Sequence, residues 1–304
     1  MASLSAVGTS KRQYSEKAPI LCQYGADDMI YVATVHYKSD KWIDVQLAYL
    51  RRNLREPFRV VSCLEDIPEE HEQKFYKVVP AVGAHAGKLN LLAAEILAEA
   101  EPDDLIMFLD GDAFPIADPM PFVHRSLETS VLVAVRRDEN GGDPQPHPCF
   151  CVIRVGDWRR LCGDWSPGHY WFNSKNWRIS DPGGNLLATL QRESEPWTPL
   201  LRSNTTNLNP VSFGVYGSIV YHHGAGFRMA EIRGVIMNQP ERLKAIEQIP
   251  ILRYPVRKIT NLRIKSWKKM QIEMNHRIGD DIFTQIKEDP NFSRTLDDKV
   301  AEVS

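Results

Sequence analysis

The run Leu105-Ile-Met-Phe-Leu-Asp110-Gly111-Asp112 is the sharpest chemical feature of the chain. Five apolar residues predict a buried strand, and two carboxylates with one glycine between them end it. At the carboxyl end of a parallel strand, where open α/β sheets bind their ligands, such a pair can hold a hard divalent cation. Mg2+ or Mn2+ typically takes one or two carboxylates and leaves its other positions to water and substrate phosphates, so one ion could bridge protein and diphosphate. Gly111 lets the backbone turn tightly and keeps a side chain out of the approach. A solvated Asp-Gly turn is the plainer alternative, and the apolar run ahead of it favours the metal.

Other segments carry weaker candidates. His222-His223-Gly224-Ala225-Gly226-Phe227-Arg228 follows an apolar run, and its glycines would let backbone amides approach phosphate oxygens. Lys88, early in the helical stretch 87–100, would meet a phosphate at a helix amino terminus, although a solvated lysine fits the same position. The Gly83-x-x-x-Gly87-Lys88 spacing is one residue short of a P-loop, and no Ser or Thr follows the lysine. Asp181, ahead of Pro182-Gly183-Gly184-Asn185, would either serve acceptor hydroxyls, as hydrogen-bond partner or general base, or simply cap the helix that follows.

The elements that must position these residues read as α/β. Apolar, β-branched runs at 29–35, 58–62, 76–80, 105–109 and 130–135 predict strands, and helical spacing at 42–54 and 87–100 predicts helices between them. Strands without period-2 polarity, separated by helices, argue for a mostly parallel central sheet covered on both faces, Rossmann-like in layout. Residues 138–148 read as a loop, 149–155 as a strand, and 213–222 as one strand entering the glycine-rich turn. Five tryptophans between Trp158 and Trp197 stand in a segment of little periodicity, either packed under loops or facing a ligand. The chain divides into a flexible segment 1–27, a catalytic domain 28–240 and a helical, basic extension 241–304.

Composition excludes several classes. Lys plus Arg (37) against Asp plus Glu (39) gives a formal charge of −2, without the basic excess of a nucleic-acid binder, so no nucleic-acid partner is expected. No run approaches the ~18 consecutive apolar residues of a membrane span. The first residues lack the apolar core of a secretory signal, which makes the expected location cytoplasmic. Five cysteines without a C-x-x-C pattern read as buried, reduced thiols. Arg257, Lys258, Arg263, Lys265, Lys268 and Lys269 interleave with Ile259, Leu262, Ile264, Trp267 and Met270, with no acidic residue among them. That composition suits either an anionic membrane surface on the inner face, to which lipid-linked acceptors would be brought, or a basic helix packed on the core.

The segment FLDGDAFPIADP after βαβ units, with a strand ending in His-His-Gly-Ala-Gly-Phe-Arg more than a hundred residues later, resembles the GT-A fold glycosyltransferases, distantly those of family 8. The resemblance spans roughly residues 29 to 230. It implies a nucleotide-sugar donor, with UDP as the expected nucleotide, Mn2+ or Mg2+ as cofactor, and a glycan or glycolipid acceptor. Carried onto this sequence, it places Asp110 on the ribose or the metal, Asp112 on the metal, and His222 or His223 in the same shell. If the strand runs on through Tyr221 the two histidines point to opposite faces, so one of them reaches the ion, with His222 the expected one. Thr34, His36 and Tyr37 would hold the base and ribose at the end of the first strand. Family 8 has Lys-Pro-Trp after its His-Gly segment, whereas Phe227-Arg228 follows here, and Arg228 would neutralise the leaving diphosphate. Rival classes are a metal-dependent nucleotidyltransferase, which would show a glycine-rich phosphate loop where Val32–Asp40 has none, and a non-catalytic carbohydrate-binding module, for which the tryptophans speak.

Overall fold

The computed structural model describes residues 28–174, 176–204, 212–224 and 250–298. The expected boundaries at 27/28 and 240/241 therefore lie at or outside the edges of the described residues. Strands β1 (Ile30–Tyr37), β2 (Phe58–Glu65), β3 (Lys77–Pro80), β4 (Leu105–Asp110), β6 (Leu132–Val135), β7 (His147–Arg154) and β10 (Thr198–Leu200) form one sheet in the order β10-β6-β7-β4-β1-β2-β3. Every adjacent pair is parallel except those of β7, which runs against both β4 and β6. The class is α/β with a mostly parallel sheet.

The two faces are filled as the apolar runs require. Along β1, Tyr31, Ala33 and Val35 enter one core and Ile30 and Val32 the other, which is the period-2 alternation of a strand buried on both sides. Helix α2 (His85–Leu97) closes the first core with Leu89, Leu92, Ala93 and Ile96. Helices α1 (Ile43–Asn53) and α3 (Met120–Leu127) close the second with Ile43, Leu47, Leu50 and Met120, Val123, Leu127. These are the three- and four-residue spacings of single helix faces.

From β1 the chain winds outward through β2 and β3, then returns to place β4 on the other side of β1. The carboxyl ends of β1 and β4 thus flank a topological switch point, the crevice where such sheets take ligands. There β4 stops at Asp110, and after Gly111-Asp112 the chain continues as β5 (Ala113–Pro115) in a second sheet, where β12 (Val220–His222) lies between β5 and β11 (Gly214–Tyr216).

Several sequence expectations change in detail. The run 213–222 is not one strand. It splits into β11 (Gly214–Tyr216) and β12 (Val220–His222), because Gly217 and Ser218, with φ of 56° and 55°, turn the chain into a hairpin. Residues 138–148 are irregular only as far as Pro146, since β7 begins at His147. The tryptophan-rich segment holds α4 (Val155–Arg160), the hairpin β8 (Trp171–Phe172) with β9 (Arg178–Ile179), and α5 (Gly184–Arg192). Its tryptophans divide: Trp158, Trp165 and Trp171 are buried, whereas Trp177 is 60% exposed. Of the described cysteines, Cys63, Cys149 and Cys151 are buried, but Cys162 is exposed.

The carboxyl-terminal extension is helical, as α6 (Pro250–Glu288) and α7 (Phe292–Asp298). Ile282, Ile286, Phe292 and Leu296 pack with Trp42, Tyr49, Phe114 and Tyr221 in a third core that covers the small sheet. The Tyr49 hydroxyl donates to the Ile286 carbonyl at 3.0 Å, tying this end of α6 to α1. Among the described residues no helix is long and apolar enough to cross a membrane.

Candidate functional site

Strand register assembles the site. In the small sheet β12 pairs antiparallel with β5 so that His222 stands opposite Ala113, and the His223 amide donates to the Asp112 carbonyl at 3.0 Å. The His222 ring is thereby delivered to the turn that ends β4. Its Nε2 lies 3.4 Å from Asp110 Oδ2 and 3.4 Å from Asp112 Oδ1. Asp110, Asp112 and His222 each offer a ligand atom, all within 4.8 Å of one another. Burial alone would lower the pKa of His222, but Cys149 and Asp112 raise it well above the ordinary imidazole value. A buried imidazole between two carboxylates is a place where cationic charge is favoured, whether a proton or a metal supplies it.

The histidines separate as strand alternation demands. His223 points away from the carboxylates into the third core: its Nδ1 shares a hydrogen bond of 2.9 Å with the Tyr221 hydroxyl, and its ring centroid lies 4.5 Å from that of Trp42. Burial pulls its pKa down to about 4, so it is a neutral core residue.

Two neighbours that sequence reasoning missed complete the surround. His85, the first residue of α2, places Nε2 3.1 Å from Asp110 Oδ1, so that Asp110 is held between two imidazoles, one on each oxygen. His147, at the start of β7, has its ring centroid 5.9 Å from that of His222. Burial, then the Arg137 and His222 charges, push His147 well below its ordinary pKa, and its Nδ1 accepts from the Cys149 amide at 3.1 Å. The proton of the neutral ring therefore sits on Nε2.

The remaining candidates are distributed around this centre. Thr34 is fully buried and His36 nearly so. The Thr34 hydroxyl donates to Gln46 Oε1 at 3.2 Å, and burial lowers the His36 pKa to about 4. Tyr37 is half-buried at the carboxyl end of β1, with the Lys88 ammonium 5.0 Å from its ring centroid. The Lys88 side chain is buried and ion-paired with Glu65 at the end of β2, so its charge is already neutralised within the protein. Gly111 is required by contact: a Cβ there would lie 2.6 Å from the Val35 carbonyl oxygen and 2.8 Å from His36 Nδ1. Gly224 has φ of 72°, the left-handed conformation that suits glycine. Gly226 and Arg228 lie outside the described residues.

Asp181 is not a side-chain helix cap, since α5 is entered through Gly183 at φ 90° without a capping side chain. Instead its Oδ2 accepts from Arg137 at 3.1 Å, and the same guanidinium nitrogen lies 3.2 Å from Asp143 Oδ2. Arg137 was not legible as a site residue. It follows the end of β6, on the same edge of the sheet as Asp110, because β6 and β4 both run against β7. A buried arginine is thus shared by two carboxylates, of which Asp181, with its side chain 38% exposed, is the one nearer solvent.

No protein-family model and no curated protein matches the chain. Solved structures similar to it include TarS of S. aureus, at 15% identity over 45% of this chain and 30% of that one, TM-score 0.33. A mannosyltransferase of Pyrobaculum calidifontis, in complex with GDP-Man and Mn2+, matches at 15% identity over 45% of this chain and 47% of that one, TM-score 0.33. The galactosyltransferase LgtC, with donor and acceptor sugar analogs, matches at 11% identity over 56% of this chain and 73% of that one, TM-score 0.33. The chain thus spans about a third of the length of TarS and about half that of the mannosyltransferase.

Proposed function

We propose that the chain is a metal-dependent glycosyltransferase that moves a sugar from a nucleotide diphosphate sugar, with UDP as the nucleotide, to a hydroxyl of a glycan or glycolipid. The observation that carries this reading is the convergence of Asp110, Asp112 and His222 at the switch point of a mostly parallel sheet. The donor set fits a divalent cation: two carboxylates suit Mg2+ and Mn2+, and the imidazole favours Mn2+ of the two. Asp110, Asp112 and His222 would hold the ion, and His85 would orient Asp110 from its other oxygen. When bound, the ion supplies Lewis-acid neutralisation of the charge that develops on a departing diphosphate.

The chain's own groups account for the rest. Tyr37, half-buried at the end of β1, offers a ring to the base. His147, fixed with its proton on Nε2, is a neutral hydrogen-bond donor on the same edge of the sheet. Asp181, positioned by its hydrogen bond from Arg137, is the acceptor-side group: it would orient the attacking hydroxyl and take its proton as the new glycosidic bond forms. Gly224 and Gly226 would let amides approach the phosphate oxygens, and Arg228 would face the diphosphate.

The basic stretch of α6 supports a second element of the reading, contact with an anionic membrane surface that presents a lipid-linked acceptor. Lys258, Lys265 and Lys269 are exposed, as are Leu262 and Met270, at 59% and 56% exposure, and helical spacing puts Leu262 on the side of the three lysines. Each such lysine near an anionic surface contributes about 1 kcal/mol. Co-sedimentation with phosphatidylserine vesicles at low salt, lost when the three lysines become Gln, is the expected result, and absence of vesicle binding by the native chain removes this element.

Calorimetric titration of Mn2+, then of UDP with and without Mn2+, tests the main reading, together with UDP release from candidate UDP-sugars. Asp112→Asn keeps size and removes charge, so Mn2+ binding and metal-dependent UDP binding should both fall by about 2 kcal/mol or more. Native Mn2+ affinity in Asp112→Asn refutes the assignment.

A further inference from the structure

We propose that Gln46, which never reaches the ligand side of the site, is the positioning residue that sets the spacing of the Asp110–Asp112 carboxylates; the proposal rests on the metal reading above. The turn Asp110-Gly111-Asp112 is strung between the end of β4 and the start of β5. The carbonyls that bracket it, those of Asp110 and Ala113, both accept from Gln46 Nε2, each at 2.8 Å. One amide nitrogen thus closes the turn from behind and fixes the chord across which the two carboxylates are held. Its other end is fixed as well, because Gln46 Oε1 accepts from the Thr34 hydroxyl on the neighbouring strand at 3.2 Å. That bond orients the amide with nitrogen toward the turn and oxygen toward β1.

Gln46 has no exposed surface and lies on the face of α1 that also carries Ile43 and Leu50. A polar side chain at 0% exposure is costly to bury unless its hydrogen bonds are made, and here they are made to the turn and to Thr34. The same helix face repeats the device two turns on, where Asn53 Nδ2 donates to the Pro115 carbonyl at 2.7 Å, pinning the far end of β5. Helix α1 therefore reads the backbone of the turn and β5 through side-chain amides. Gly111 completes the seat, since its missing side chain lets the turn rest against Val35 and His36. The turn is also held from β12, whose His223 amide donates to the Asp112 carbonyl.

Neither an apolar residue of the same length nor an acidic one makes these bonds. Met keeps the length of Gln but leaves two buried carbonyls and the Thr34 hydroxyl without partners. Glu sets a carboxylate against two carbonyl oxygens. Metal sites tolerate displacements of roughly 0.5 Å, and residues that orient ligands typically change metal affinity by about 10- to 100-fold when removed.

The test uses the full chain, with Mn2+ as the probe and calorimetry and Mn2+ electron paramagnetic resonance as readouts. Gln46→Met should weaken Mn2+ binding at least tenfold, and Thr34→Val, which only releases the amide orientation, by a smaller factor. Melting temperatures without metal are measured on the same samples. A purely structural role lowers the melting temperature and leaves the Mn2+ dissociation constant where it was; that result in Gln46→Met overturns the proposal. If Gln46→Met does not fold, Thr34→Val decides, and an unchanged dissociation constant there overturns it equally. If the native chain itself binds no Mn2+, the metal reading fails rather than the clamp geometry, and normal Mn2+ binding by the native chain with loss in Asp112→Asn separates the two cases.

Discussion

Replacing Gly111 by alanine puts the strongest demand on the geometry described here. An added Cβ would stand 2.6 Å from the Val35 carbonyl oxygen, 2.8 Å from His36 Nδ1 and 3.2 Å from His36 Cε1. Comfortable contacts begin near ~3.4–3.5 Å, so the overlap with the nearest atoms is roughly 0.8 Å. Neither neighbour can yield. Val35 belongs to a central strand paired with Cys63 on one side and Asp110 on the other, and His36 is buried with its ring 5.8 Å from that of Phe75. The turn itself must lift, and bond-angle strain grows roughly as the square of the distortion, from about 1 kcal/mol at ~7°, within the ~1–3 kcal/mol that overpacking costs in general. A cost of about 2 kcal/mol corresponds to a fall of roughly 4–8 °C in melting temperature for a chain of this size. The same movement shifts Asp110 and Asp112 relative to His222, so Mn2+ affinity should fall with stability. Gly87→Ala is the control: its Cβ meets only the Val82 carbonyl oxygen, at 3.9 Å, on an exposed position of α2, and alanine there should be neutral or stabilising by up to ~1 kcal/mol. Differential scanning calorimetry and Mn2+ titration on the pair check both signs. Gly111→Ala with native melting temperature and native Mn2+ affinity would refute the close seating of the turn.

Two further expectations concern other buried contacts. Lys88→Met strips the buried cation from Glu65 and should cost about 1–3 kcal/mol, partly recovered in the double variant with Glu65→Gln; should the ammonium instead serve a diphosphate, UDP affinity falls in Lys88→Met and the second change does not restore it. Trp165→Ala, which empties a fully buried site against Phe108 and Trp158, should cost ~3–5 kcal/mol, whereas Trp177→Ala at a position 60% exposed should leave the denaturant midpoint nearly unchanged.

The parts of the molecule legible in its sequence are those where one local rule decides. Strands β1, β2 and β4 and helices α1 and α2 are long apolar runs or clear helical faces, and the structure places them within a few residues of where periodicity does. The Asp110-Gly111-Asp112 turn was legible because apolar burial ends abruptly at charged residues. What failed was decided by tertiary partners. The run 213–222 has the composition of a single strand, and only the positive φ of Gly217 and Ser218 breaks it, a choice made by the pairing of β12 with β5. Lys88 at a helix start has the local chemistry of a phosphate ligand, but Glu65, more than twenty residues away in sequence, reaches its ammonium first.

The residues that sequence reasoning missed show where such reading can be sharpened. Gln46 falls on the apolar stripe of α1, three residues after Ile43 and four before Leu50, where helical spacing calls for a core side chain. A polar residue in that register must find buried partners, and in an α1 that follows a site-bearing strand the nearest are the carbonyls of the loop at the sheet edge. That signal was present in the sequence and asks only that polar residues on apolar faces be read as contacts rather than as noise. His85 and Arg137 offer no such signal. Each stands at an element boundary where a charged or polar residue is ordinary, and each becomes a site residue only because sheet order brings the carboxyl ends of β4 and β6 to one edge and the start of α2 beside them. His222 lies between these extremes. Alternation along the strand could say that it and His223 face opposite ways, but which of them meets the carboxylates is set by the register of β12 on β5, where His222 stands opposite Ala113 and a shift of one residue would have put His223 in its place.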